Sequence, residues 1–286
     1  MNYTAEQIIS FTDAFRNKTL PKERWTHEMH VIAAFRFCYE FEEEKGLIEI
    51  REAIRNYNIA VGTVNTAHSG YHETITVFWM KLIRAWQYYC SRKEIASDVN
   101  RFLASPLSAK DLMFDFYSRG LLFSVQARTY FVKPDVKAFS KLDEYVLKSI
   151  GDHSQLNDKS FLWLFEICRL DPTLFTHEAH IRLAWLKIRE AGVENASEDI
   201  CRMLINYTNA LGVRSKFNKT LTVAAVRAVW HFMQKENIDD FDLFVERFPR
   251  LKNDFRKLID SHYGYDIFNN PMAKIEYMQP DLLPFT

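Results

Sequence analysis

Glycine and proline are scarce, eight of each in 286 residues, which excludes a plan of many short strands joined by tight turns. Cysteine is scarcer still. Cys38, Cys90, Cys168 and Cys201 are scattered, with no C-x-x-C pair and no dense framework, the pattern of reduced, mostly buried thiols in a cytoplasmic protein. The opening "MNYTAEQIISF" has no basic flank followed by an apolar run, so no signal peptide is expected, and no run of about 18 apolar residues offers a membrane span. Net charge is missing as well. The 37 basic and 37 acidic side chains cancel, which leaves no long-range attraction to nucleic acid or an anionic membrane. A Gly-rich phosphate loop and a G-x-S-x-G elbow are both absent, and with them the usual supports for nucleotide hydrolysis and serine hydrolase chemistry.

What the chain has in quantity is apolar bulk: 48% hydrophobic and 15% aromatic residues, enough for a large core in one domain or two. It also repeats itself. "WTHEMHVIAAF" from Trp25 matches "FTHEAHIRLAW" from Phe175, 150 positions on, and the same spacing relates Asn56-Tyr57 to Asn206-Tyr207 and Gly62 to Gly212. Beyond that glycine the spacing drops to 146 for Thr74 and Thr220, Tyr117 and Tyr263, Pro134 and Pro280. A period this long is duplication of a domain, not a solenoid. The polar stretch "SIGDHSQLND", Ser149 to Asp158, is the expected seam. We therefore expect a first repeat at 1–148 and a second at 149–286, packed about a pseudo-twofold axis as an internal pseudo-dimer.

Each copy reads as helix. Apolar residues from Thr26 to Glu44 recur at three and four, with Thr26 placed as N-cap. "GLIEIREAIRNYNIAVG" and "SEDICRMLINYTNALG" both end on glycine, a helix stop. "TITVFWMKLIRAWQYYC" is apolar on several sides, as a central buried helix would be. The expected class is all-α, with four or five helices per copy.

One contrast between the copies bears on function. "YHETITV" from Tyr71 has its counterpart in "FNKTLTV" from Phe217, where His72 has become Asn218 and Glu73 has become Lys219. His27 and His30 lie at i and i+3 on one helix face. A loop four residues longer than its counterpart, carrying Asn65, Thr66, His68 and Ser69, leads into His72-Glu73. Three neutral histidines with an open position suit zinc, and two with a carboxylate suit iron or manganese. The expectation is a divalent metal held by His27, His30 and His72, with Glu73 as general base, acting on a small molecule. Against it, His177 and His180 persist in the copy that lost His72 and Glu73, which points to capping or to bonding a buried carbonyl. The alternative is a non-catalytic ligand-binding or interaction protein with structural histidines. Thr74, Thr76, Tyr117, Tyr263 and the two "PD" pairs occur in both copies and read as capping, packing and fold determinants. Arg119 and Arg128 are candidates to face a carboxylate or phosphate, or to be solvated; Tyr265 and Lys274 replace them in the second copy.

"LPKERWTHEMHVIAAF", "RNYNIAVGTVNTAHSGYHETITVFW" and "YSRGLLFSVQARTYFVKPD" together resemble an uncharacterised bacterial protein family with W-T-H-x-x-H and S-G-Y-H-E-T-x-T motifs. The first half follows that pattern almost throughout. The second keeps "FTHEAH" and the terminal "PD" but departs at the Y-H-E-T core. The resemblance implies one such domain per copy, with the polar residues of the first copy as its site.

Overall fold

Residues 2–285 are described by a computed structural model. Among them there is no β-strand, and the all-helical expectation holds. No described helix is long and apolar enough to cross a membrane. The chain divides into two compact units, Met1–Gly151 with Gln155–Asn157, and Asp152–Ser154 with Asp158–Thr286.

The first unit contains α1 (Ala5–Arg16), α2 (His27–Glu40), α3 (Glu43–Ala60), α4 (Glu73–Cys90), α5 (Ile95–Leu103), α6 (Arg119–Leu122), α7 (Val125–Thr129) and α8 (Leu142–Lys148). The second contains α9 (Asp158–Glu166), α10 (His177–Ala191), α11 (Val193–Ala210), α12 (Lys219–Met233), α13 (Phe241–Arg247), α14 (Arg250–Asn253), α15 (Phe255–Asp260) and α16 (Pro271–Ile275). Among the described residues, eight α-helices per unit exceed the four or five expected. The surplus consists largely of four- to seven-residue helices, too short to show a period. Ser118 starts α6 by accepting from Leu121 N at 3.2 Å, and Ser124 starts α7 by accepting from Ala127 N at 3.1 Å. The helix expected from Thr26 to Glu44 is broken at Phe41, whose backbone is extended, so α2 and α3 are separate.

Local chemistry fixes the long elements. Thr4 and Gln7 form a capping box on α1, and Thr26 and Thr176 cap α2 and α10. Gly62 and Gly212 follow α3 and α11 at φ of 73° and 70°, a region where a Cβ is strained. The buried face of α4, with Phe78, Leu82, Ile83 and Trp86, lies against α2, α3, α7 and α8. Its aromatic neighbours interlock: Phe35 meets Phe102 edge-on at 5.1 Å and Trp86 at 5.7 Å. Each such ring, taken from water, stabilises the unit by about 1.5–3 kcal/mol.

The shared threonines and tyrosines pin an extended segment late in each unit. Thr74 Oγ1 donates to Tyr130 O at 3.0 Å and accepts from Val132 N at 3.1 Å; Thr220 does the same with Glu276 O and Met278 N, at 2.7 and 3.0 Å. Thr74 is thus a tie to an extended segment 56 residues away, not a cap. Tyr117 and Tyr263 donate to Val132 O and Met278 O. The aspartates of the two "PD" pairs accept from Ser118 N and Gly264 N at 2.8 and 2.7 Å.

Candidate ligand site

His72 is the N-cap of α4 and both its ring nitrogens are engaged. Nδ1 accepts from Ile75 N at 3.3 Å, and Nε2 donates to Leu122 O at 2.9 Å. The ring is 8% exposed, and desolvation lowers its pKa, so it stays neutral in the tautomer with the proton on Nε2. Glu73 is equally committed. Oε1 accepts from Arg51 Nε and Nη2 at 3.0 and 2.5 Å, and Oε2 from Arg51 Nε and the Tyr71 hydroxyl at 3.1 and 2.9 Å. Three donor hydrogens thus face the carboxylate, the Arg51 Nε–H being shared between its two oxygens, and Glu73 is held as the acid of this ion pair.

His27 and His30 sit at the start of α2 as expected, but each is tied to backbone. His27 Nε2 donates to Ser108 O at 2.9 Å and His30 Nδ1 to Thr26 O at 2.7 Å. Desolvation brings the His30 pKa down to about 4. One nitrogen remains on each ring. Among the described residues, no group of three or more His, Cys, Asp and Glu side chains is placed to hold a metal ion. His68 is on an exposed loop. Arg128 Nη1 donates to the carbonyls of Gly70 and Tyr71 at 3.0 and 3.2 Å, and Arg119 lies over the Phe114 ring at 4.0 Å.

The second unit reproduces this bonding with different residues. His177 Nε2 donates to Leu251 O at 2.8 Å and His180 Nδ1 to Thr176 O at 2.8 Å. Asn218, in the place of His72, caps α12 through Oδ1, which accepts from Leu221 N at 2.9 Å, while Nδ2 donates to Ile267 O at 2.7 Å. The amide covers both jobs of the imidazole because it too carries an acceptor and a donor on one planar group.

Where the units part is volume. The "VFWMKLI" run of α4 is "VAAVRAV" in α12: Ala224, Ala225, Val226, Ala228 and Val229 stand for Phe78, Trp79, Met80, Leu82 and Ile83. In the first unit the Trp79 indole lies 4.9 Å from the His27 ring and is 6% exposed. In the second, a cavity of about 590 Å³ opens among α10, α11 and α12, lined by Phe175, His177, His180, Tyr207, Leu221 and Ala225 with further apolar groups. That volume suits a small molecule. Its lining hydroxyls are spent on backbone: Thr208 donates to Leu204 O and Thr222 to Asn218 O. His177 Nδ1 and His180 Nε2 are left with no partner among the described residues, and both rings line the cavity. Desolvation lowers the His180 pKa, which keeps its free nitrogen an acceptor. The sequence signal for this cavity is the change from Phe78, Trp79, Met80 and Leu82 to Ala224, Ala225, Val226 and Ala228 at matching positions.

No protein-family model, curated protein or solved structure matches this chain.

Proposed function

We propose that this chain is a helical ligand-binding protein made of two copies of one domain, and that the second copy holds a small apolar molecule bearing a hydrogen-bond donor. The observation that carries this reading is the cavity of about 590 Å³ beside Ala225. Its aromatic and aliphatic wall supplies hydrophobic affinity, and the two remaining imidazole nitrogens orient a donor. The histidines act here by hydrogen bonding, with His72 and Asn218 as caps. Support for two copies comes from the backbone partners that residues 150 or 146 positions apart share in kind: His27 and His177, His30 and His180, Thr74 and Thr220.

N-phenylnaphthylamine, a neutral apolar fluorophore with one N–H donor, tests the site. Wild-type protein is expected to bind it saturably. Ala225→Trp, which restores the residue of the first copy, is expected to abolish that binding while keeping the helical circular dichroism and the thermal midpoint. Saturable binding that is the same in Ala225→Trp and wild type overturns the reading.

A further inference from the structure

Replacing Glu73 by Lys219 does more than remove an acid. In the first unit the carboxylate is closed off by Arg51 and Tyr71. In the second, Cys201 stands at the place of Arg51 and Phe217 at that of Tyr71, so the pair cannot form. What lies there instead is an open groove of about 870 Å³ along α11 and α12, with Arg202, Arg214, Lys219, Arg227 and Lys274 facing two carboxylates, Glu194 and Glu198. In a chain whose charges cancel overall, this is a local cationic field.

The cations are not all neutralised. Arg202 pairs with Asp199 at 3.0 Å, and Arg227 Nη2 spans both oxygens of Glu194 at 3.0 Å. Arg214, Lys219 and Lys274 have no carboxylate partner among the described residues; Lys274 Nζ donates to Ser215 O at 3.3 Å, and Arg214 lies over the Phe217 ring at 5.1 Å. Arg227 also keeps its Nε shielded from water with no acceptor, a donor without a partner beside the groove. The amino end of α12, where Lys219 is the first helical residue, adds its own positive field. Cys201 is not a nucleophile in this setting, since burial pushes its thiol up to about 11.

We propose that this groove is an anion site for a small molecule bearing a phosphate ester, with Arg214, Lys219 and Lys274 meeting the oxyanion and Arg227 supporting it. Several unpaired cations around one opening match a multiply charged oxyanion better than a single carboxylate. The volume leaves space for the body of the molecule beyond the phosphate.

Isothermal titration with inorganic pyrophosphate at low ionic strength tests the groove. Wild type is expected to bind in the millimolar range or tighter, with affinity falling as salt rises. Lys219→Glu, which places the acid of the first copy in the groove, is expected to weaken binding at least about tenfold. Lys141→Glu, a charge reversal in the other unit, is expected to leave it unchanged. The proposal is overturned if wild type shows no saturable binding at millimolar pyrophosphate, if Lys219→Glu binds as wild type does, or if Lys141→Glu weakens binding as much. Should Lys219→Glu fail to fold, Lys219→Gln and Lys274→Gln take its place in the same titration: weaker binding in both supports the site, and unchanged binding removes it.

Discussion

His72 and Asn218, unlike in chemistry, hold their helices in the same way: each accepts the N–H three residues on and donates to a distant carbonyl, Leu122 O in one unit and Ile267 O in the other. A histidine in one segment and an asparagine at the matching position of the other therefore do not by themselves mark the presence and absence of a reactive group. A side chain with one acceptor and one donor at fixed separation is what the position demands, and His and Asn both supply it.

It follows that His72→Asn is close to neutral, within about 1 kcal/mol, because the second unit already uses that residue. His72→Ala leaves the Ile75 amide uncapped and the Leu122 carbonyl without its donor, and is expected to cost about 2–3 kcal/mol. Urea denaturation of the two variants separates them; equal, large losses would show that the imidazole does something the amide cannot.

The spent nitrogens of His72 bear equally on metal binding. Protein dialysed against EDTA and untreated protein are expected to unfold at the same temperature. A lowered midpoint after EDTA, with about one metal per chain in the untreated sample that His72→Asn loses, would restore His27, His30 and His72 as a ligand set.

Arg51 and Glu73 form a shielded pair, the glutamate side chain 8% exposed and the arginine side chain 30%. Arg51→Met strands a buried acid and is expected to cost about 2–3 kcal/mol, a value held down by the partial exposure of the arginine. Adding Glu73→Gln should recover at least half of that loss. A double-mutant cycle on chemical stability checks the coupling, and additive losses would contradict it.

Acid should weaken both units. Desolvation lowers the pKa of His30, to about 4, and also those of His72, His153 and His180. A histidine whose folded pKa lies below the unfolded value, about 6.5, contributes its full stability above that value and loses it as pH falls toward the folded one. The urea midpoint is thus expected to be flat near pH 7.5 and to drop steadily from about 6.5 downward, with a shallower drop in His30→Gln.

Trp79, buried beside His27, stands at the position that matches Ala225 of the second unit's cavity. Trp79→Ala is expected to destabilise by about 3–5 kcal/mol and, in an Ala225→Trp background, to create a new saturable site for N-phenylnaphthylamine. Lost stability without binding would mean that the first unit collapses around the gap.

Much of the fold was legible in the sequence because helices are written locally. A period of three to four, a threonine before His27 and before His177, and a glycine after each third long element need only near neighbours to act. The short helices α6 and α7 were illegible for the same reason, since four or five residues carry no period. The engagements of His72 and Glu73 were illegible because residue type reports which bonds a side chain can make, not which it has made.

The sequence by itself displayed one pattern twice along the chain, and it determined the all-helical class and the caps that start its helices, which rest on contacts a turn or less apart. Only the tertiary structure decided that His72 spends its second nitrogen on Leu122, that Glu73 is enclosed by Arg51 and Tyr71, and that the small residues of α12 leave a cavity instead of a collapsed core. Those outcomes depend on groups tens of residues away, or on a volume that several helices enclose together, and no local pattern encodes either.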